Sequence, residues 1–292
     1  MKNLYTLLLI GIAAISLIAC QGEGDFYAYT PYVYSPSSSS GSNGTSASSI
    51  TVSGLSDPFL FADNIDMIGA VEMRTEGSSV ITIDKLRPSS FYYVANVTED
   101  EFGGKTISYP TIIETKYYDC NVFAISNTQV TFVMGTVDYD KMLIGSNANM
   151  DDAIPVELHE DTEYGGKEVW YKRPNTTYYW VTEATDIFGE TYRSPVKSFT
   201  THNWDMYLEY VTTSEIMFNA GSVYYTKWSI SDKADMSNIL ATQTSKRFRV
   251  WGMTPNTTYY YQTEAMDLFG RLYKSPIFSF KTLADESGTV QP

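Results

Sequence analysis

The stretch Lys172–Tyr179 (KRPNTTYY) decides the fold, because closely similar stretches lie on either side of it. Leu86–Tyr93 (LRPSSFYY) precedes it and Met253–Tyr260 (MTPNTTYY) follows it. The prolines of the three copies are 86 and 81 residues apart. A period of this length is the size of a small domain and exceeds that of solenoid repeats, so the sequence predicts three serial domains.

Each copy continues with the same turn motif. An aspartate stands twelve residues after each proline, and a phenylalanine and a glycine follow it two and three residues later. Glycine tolerates positive φ, so the motif predicts a β-hairpin turn. We expect the aspartate to cap this turn; calcium binding, the alternative, needs about six oxygen ligands, and the neighbouring residues supply few. The motifs are Asp100-Phe102-Gly103, Asp186-Phe188-Gly189 and Asp267-Phe269-Gly270, and the copies close on Thr115, Thr201 and Thr282.

The residues around these motifs predict an all-β fold. Short runs alternate between apolar and polar residues, turn residues recur at regular intervals, and no helical period is present. Tyr178–Ala184 is predicted to be a strand, and Glu190–Thr201 is predicted to return beside it. A two-sheet sandwich fits a unit of about 80 residues.

Three parts of each unit resemble fibronectin type III domains over roughly residues 50–282. These are the proline-led stretch, the Ala-x-Asp-x-Phe-Gly turn (Ala184–Gly189 and Ala265–Gly270) and the closing run (Ser198–Thr201 and Ser279–Thr282). The resemblance implies three tandem fibronectin-III/immunoglobulin-like β-sandwiches that bind partners or act as spacers and do not catalyse. It also implies a buried tyrosine corner in each domain, whose hydroxyl bonds to the upstream backbone. The tyrosines at that position are Tyr92, Tyr178 and Tyr259.

The N-terminus has the layout of an export signal. A lysine precedes the apolar run Leu4–Ala19, which is too short to span a bilayer, since about 20 apolar residues are needed. Leu17–Cys20 (LIAC) resembles the lipobox of bacterial lipoproteins, which implies that Cys20 is diacylated and becomes the mature N-terminus. Two acyl chains would hold the protein stably on a membrane. The alternative is an ordinary secretory peptide with an incidental cysteine.

The residues after Cys20 bear on location. Gln21–Asp25 (QGEGD) is somewhat similar to the acidic tract that exports lipoproteins of the Bacteroidetes to the outer face of the outer membrane. This similarity implies a cell-envelope protein anchored by lipid in the outer membrane, and surface display is a hypothesis. A periplasmic orientation is the alternative.

The first domain departs from the pattern because its opening strand is missing from the expected place. Domains 2 and 3 have Asp119–Ile125 and Asp205–Val211 there, whereas residues 37–49 are mostly Ser and Gly and are predicted to be a flexible loop. We expect residues 26–35, an aromatic run, to supply this edge strand; an unpaired tether is the alternative. The predicted boundaries are a signal peptide at 1–19, a lipidated tether at 20–49, domains at 50–116, 117–201 and 202–283, and a polar tail at 284–292.

Composition narrows the function classes. The formal net charge is -14, and an acidic surface repels a polyanion, so we expect no nucleic-acid partner. The chain has two His and two Cys, and it contains no nucleophile-elbow, phosphate-loop or dinucleotide motif. We therefore expect no enzymatic activity, metal or cofactor. His159 and His202 are expected in surface or linker positions, and Cys120 is expected to be a buried apolar side chain.

Aromatic rings are the remaining candidates for a binding surface. Side chains of a strand alternate between its two faces, so each aromatic run must point at least one ring outward. Exposed rings on a rigid sheet can stack on sugar faces or anchor a protein partner. The predicted function is adhesion or glycan or protein binding at a membrane, and the alternative is a structural spacer or scaffold subunit of an envelope complex. The candidate binding aromatics are Tyr179, Trp180, Tyr260 and Tyr261; tyrosine acting only as a strand former is the other interpretation.

We expect the mature protein to begin at an acylated Cys20, because the apolar run ends in a lipobox-like sequence. Mass spectrometry of the N-terminal peptide measures this, and an unmodified mature N-terminus would contradict it. Protease added to intact cells should degrade a surface-displayed protein; full protection would point to the periplasmic face.

Overall fold

In the computed structural model, residues 42–160 and 166–285 are described, and their regular structure consists of β-strands. These ranges hold no helix long and apolar enough to cross a membrane. The predicted signal peptide, the predicted lipidation site Cys20 and residues 26–35 lie outside the described residues. The described strands form three successive antiparallel β-sandwiches, called here modules 1, 2 and 3 (residues 42–116, 117–201 and 202–285), so the predicted fold class is confirmed.

Module 1 is built from two sheets. The first has the order β1-β2-β5, and the second has the order β4-β3-β6, with β7 and β8 both pairing along β6. The strands are β1 (Ser42–Thr45), β2 (Ile50–Ser53), β3 (Phe59–Ala62), β4 (Val71–Met73), β5 (Val80–Ile83), β6 (Phe91–Glu99), β7 (Lys105–Ile107) and β8 (Thr111–Glu114).

Modules 2 and 3 repeat this arrangement. In module 2 the strands are β9 (Asn121–Ile125), β10 (Val130–Val133), β11 (Lys141–Gly145), β12 (Ile154–Val156), β13 (His159–Glu160), β14 (Lys167–Val169), β15 (Thr177–Thr185), β16 (Thr191–Arg193) and β17 (Lys197–Thr200). In module 3 they are β18 (Tyr207–Val211), β19 (Glu215–Asn219), β20 (Lys227–Ser231), β21 (Ile239–Gln243), β22 (Arg247–Trp251), β23 (Thr258–Met266), β24 (Leu272–Lys274) and β25 (Phe278–Lys281). The sheets are β13-β14-β10-β9 and β12-β11-β15 in module 2, and β18-β19-β22 and β21-β20-β23 in module 3.

The opening strand of module 1 lies inside the tract that the sequence predicts to be a flexible loop. β1 pairs antiparallel with β2, with Ser42 opposite Val52 and Thr45 opposite Ile50. The loop prediction is therefore wrong for this part of the tract. An edge strand needs backbone hydrogen bonds to one neighbour only, so it can form from small polar residues that carry no apolar pattern. β1 takes the position that residues 26–35 were expected to fill.

Each module carries the tyrosine corner that the resemblance implies. Tyr92, Tyr178 and Tyr259 are buried. Their hydroxyl oxygens accept hydrogen bonds from the backbone N–H groups of Arg87, Arg173 and Thr254, at 2.7, 2.8 and 2.9 Å. Burial raises the pKa of Tyr92 and of Tyr178 to about 12. The corner ties the start of β6, β15 or β23 to the turn before it.

The Asp-x-Phe-Gly motifs form the predicted capped turns. In module 2, Asp186 Oδ1 accepts hydrogen bonds from the N–H groups of Phe188 and Glu190, at 3.0 and 2.9 Å. Asp100 and Asp267 accept the corresponding pairs of bonds in modules 1 and 3. The prediction of turn capping by these aspartates is confirmed.

The hairpin of module 2 also joins modules 1 and 2. Phe188 packs against the core of module 1, where its ring stacks on Phe61 and Tyr92 with centroid distances of 5.8 and 6.3 Å. Arg87 Nε donates to Asp186 Oδ2 at 2.5 Å, and the N–H of Ile187 donates to the carbonyl of Lys85 at 2.9 Å. The hairpin turn is therefore a contact surface as well as a connection between strands.

Module 3 joins module 2 with the same hairpin. Leu268 and Phe269 pack against the core of module 2, and the Phe269 ring stacks on Tyr178 at 6.2 Å. The equivalent ring of module 1, Phe102, is 88% exposed although its turn has the same hydrogen bonds. Two of the three hairpins thus form joints between modules within the described residues.

We expect Phe188→Ala to lower the free energy of unfolding by about 1–3 kcal/mol, because the variant loses apolar packing and two ring contacts across the joint. Urea unfolding of the mature chain measures the change. Phe102→Ala is the matched control, and its effect should stay within about 0.5 kcal/mol because the ring is exposed. Equal effects of the two substitutions would contradict a structural role for the joint.

Candidate binding cleft

The structure separates the four candidate binding aromatics into two kinds. Trp180 and Tyr261 are buried in the cores of modules 2 and 3, so the prediction that these rings face a partner is wrong. Alternation along the strand explains this, because Trp180 lies on the same face as the buried Tyr178. Tyr179 and Tyr260 are partly buried on the opposite face, in separate modules, and their role in binding stays a prediction.

A different set of rings comes together in a cleft between modules 2 and 3. The cleft has a volume of about 300 Å³. Its aromatic residues lie in loops: two follow β14, and two lie between β19 and β20. Residues that line it include Gln129, Trp170, Tyr171, Tyr224, Tyr225 and Lys246.

Ring contacts hold these aromatics in place. His159 stacks on Trp170 with a centroid distance of 4.1 Å and an interplanar angle of 7°, so one face of the indole is covered. Tyr171 contacts Tyr224 of module 3 edge to face at 4.8 Å. Trp170 remains 38% exposed. The cleft therefore presents an indole whose orientation is set before any ligand arrives.

A hydrogen bond at the ring nitrogen also holds the Trp170 indole in place. Glu168 accepts a hydrogen bond from Trp170 Nε1 at 2.8 Å and a second one from Gln129 Nε2 at 3.1 Å. Lys246 is exposed at the rim and forms no ion pair within residues 42–160 and 166–285. The cleft thus combines aromatic rings, the Gln129 amide and the exposed Lys246 cation, and the Glu168 carboxylate holds both the indole and the amide.

The sequence did not point to this cleft, because its two halves come from different modules. Thr128 Oγ1 donates to the carbonyl of Ser222 at 2.9 Å, and Ser222 Oγ donates to Asn127 Oδ1 at 2.5 Å. These bonds hold the turn after β9 against the loop after β19. Trp170 and Tyr171 carried the only sequence signal, a pair of aromatic residues at a turn, where polar residues are more usual.

A charged contact also crosses the joint between modules 2 and 3. Asp152 accepts hydrogen bonds from Ser146 Oγ at 2.6 Å and from Arg271 Nη2 at 2.8 Å. Two hydrogen bonds lower the pKa of Asp152 to about 2: the one from the Ser146 hydroxyl has the larger effect, and the one from Arg271 has the smaller. Arg271 also lies over the ring of Phe269, 4.6 Å from its centroid.

Cys120, His159 and His202 are the residues for which the sequence predicts no catalytic or metal-binding role. Cys120 is buried, as predicted, and burial raises the pKa of its thiol to about 11. His202 is exposed at the junction of modules 2 and 3, whereas His159 is partly buried against Trp170. Within the described ranges, no group of three or more His, Cys, Asp or Glu side chains is placed to hold a metal ion.

Comparison with known proteins adds nothing to the fold described above. No family model matches the chain, and no curated protein matches it. Among solved structures, the FN1–FN3 domains of chicken CNTN1 match with 12% sequence identity over 82% of this chain and 96% of that one. The TM-score of this match is 0.23, so the fold described above stands on its own strands and sheets.

We expect the stabilisation contributed by Asp152 to disappear in acid. Its pKa in the folded protein lies below the ordinary value of 3.8, so its contribution is present above that value and is lost as the pH falls towards about 2. The difference in free energy of unfolding between the wild type and Asp152→Asn, measured by urea unfolding at several pH values, should shrink over this interval. A difference that stays constant from pH 6 to about 2 would contradict this assignment.

Proposed function

We propose that the protein is a non-catalytic lipoprotein of the bacterial cell envelope that presents tandem β-sandwich modules for adhesion, by binding a glycan or a protein. Cys20 would anchor the chain, and modules 1 and 2 would hold the cleft away from the membrane. The observation that carries the proposal is the cleft between modules 2 and 3, with its preset indole and tyrosine rings.

The order of the cleft before binding supports a recognition role. Rings held by stacking and by hydrogen bonds lose little conformational freedom when a ligand arrives, so more of the contact energy appears as affinity. Trp and Tyr offer an apolar face for a sugar ring or an apolar side chain. The volume of about 300 Å³ lies at the lower end of ligand sites, which favours one sugar ring or one anchoring side chain.

The second candidate function is a structural spacer or a scaffold subunit of an envelope complex. The two hairpin joints favour it, because Phe188 and Phe269 each tie one module to the preceding one. In that case the cleft would be a crevice of the joint, and its aromatic residues would affect stability alone. Co-purification of a stoichiometric membrane partner that survives substitution of the cleft would support this second function.

We expect Trp170→Ala to lower affinity for the bound glycan or protein at least about tenfold, because it removes the fixed indole from the cleft. A glycan array followed by calorimetry with the strongest binder measures the effect. Trp251→Ala is the matched control: Trp251 occupies the equivalent position in module 3, is 67% exposed and does not line the cleft. No array signal with the wild type would contradict a glycan ligand, and equal losses in the two variants would contradict a binding function for the cleft.

A further inference from the structure

The outer strand of one sheet differs between the modules. β4, β12 and β21 occupy the same edge position in modules 1, 2 and 3. β4 has three residues and contains Glu72, and β12 has three residues and contains Pro155, which lacks an N–H donor. β21 has five residues and contains neither a charge nor a proline.

Charge and proline are two of the devices that keep edge strands from pairing with other chains, and short length and β-bulges are others. β21 carries neither a charge nor a proline, although a bulge interrupts it at Leu240. Ile239 and Leu240 are 45% and 52% exposed. A register shift in the pairing with β20 leaves Leu240 without an opposite residue, so Ala241–Gln243 is the regular part of the strand. Among the strands of residues 42–160 and 166–285, none pairs with the outer side of this part, which therefore offers backbone donors and acceptors along an uncharged edge.

We propose that β21 pairs antiparallel with β21 of a second copy of this chain. Each copy carries a formal net charge of -14, so two copies repel over most of their surfaces, and an uncharged edge is where they can approach. In an antiparallel pair, the beginning of one β21 lies beside the end of the other. The loop that precedes β21 holds Asp232, Lys233 and Asp235, so it carries one net negative charge, and the exposed Lys246 follows the strand. The pairing therefore brings unlike charges together at both ends of the strand.

The direction of the strands sets the direction of the two molecules. The end of module 3 that faces module 2 carries the Phe269 hairpin and Ser222, and β21 runs towards this end. When two β21 strands pair antiparallel, modules 1 and 2 of one copy therefore extend in the direction opposite to modules 1 and 2 of the other copy. Given the lipid anchor of the proposed function, this is a contact between copies on two opposing membranes.

The contact is weak for a single pair of molecules. A five-residue edge buries less than the about 1,200 Å² of a stable interface. When each membrane carries many copies, many such contacts form at once. The two membranes then bind each other more strongly than one pair of molecules does, by orders of magnitude. A weak homophilic contact thus suits a protein that is held on a surface at high density.

Clustering of coated beads tests the proposal. The mature chain is coupled through the Cys20 thiol to maleimide beads, and wild-type beads should cluster without added ligand. Leu240→Lys places a charge on the edge and should reduce clustering at least tenfold. Leu272→Lys is the matched control, since Leu272 is 61% exposed on β24 of the same module, and it should leave clustering unchanged. Absence of wild-type clustering, or equal effects of the two substitutions, would overturn the proposal.

The charged ends give a second readout, in which Lys246 also lines the cleft. Lys246→Glu alone should weaken clustering, and the double variant Asp235→Lys, Lys246→Glu should restore it, because both ends are again of unlike charge. Failure of the double variant to recover, while its unfolding remains cooperative, would contradict the antiparallel arrangement.

Cysteine cross-linking locates the strand pair. In a chain with Cys20→Ser, single cysteines at Ala241, Thr242 and Gln243 are oxidised at high protein concentration. Opposed residues of an antiparallel pair have Cα atoms about 4.5–5.5 Å apart, which a disulfide can bridge, so one of the three positions should give covalent dimers. Leu272→Cys should give none, and the buried Cys120 stays unreactive. Dimers at Leu272→Cys alone would overturn the proposal.

The outcome for Leu240 is independent of the cleft. Leu240 lies outside the cleft, so Leu240→Lys should retain ligand binding, and Trp170→Ala should retain clustering. A variant that loses clustering but still binds ligand reports on β21. A variant that loses ligand binding but still clusters reports on the cleft.

Discussion

The packing of an Asp-x-Phe-Gly hairpin against the tyrosine corner of the preceding module is the contact on which the arrangement of the chain depends. One aspartate caps the turn through its Oδ1 atom, and in module 2 its Oδ2 atom also binds Arg87 of the neighbouring module. The phenylalanine of the same turn covers the end of the neighbouring core. A single short motif therefore shapes a hairpin and sets the position of the next sandwich, and the cleft exists because the second joint holds its two walls together.

Much of the fold could be predicted from sequence, because its determinants are local. The tyrosine corner depends on a hydroxyl and a backbone N–H five residues apart, and the capped turn depends on bonds within five residues. Both features therefore leave a motif. β1 was missed because an edge strand of Ser, Asn, Gly and Thr has no apolar alternation to detect.

The candidate site was harder to predict, because its residues meet only through contacts between modules. Arg87 and Asp186 lie 99 residues apart, and Tyr171 and Tyr224 belong to loops of different modules. Phe188 and Phe269 gave a partial signal, since apolar residues at the tip of a turn need a surface to cover them. Trp180 is buried because alternation places it in the core with Tyr178, and the aromatic run by itself indicates only that one of its rings faces outward.

The joints also give the chain an order of assembly. The core of module 1 is covered by Ile187 and Phe188, and that of module 2 by Leu268 and Phe269, whereas the buried cluster of module 3 and the partly buried residues packed on it all lie within module 3. A chain made from its N-terminus exposes the end of each earlier core until the next hairpin has emerged, close to 100 residues later for the first. Completion therefore passes backwards along the polypeptide, and module 3 is the unit whose buried cluster, within the described residues, contains no side chain of another module.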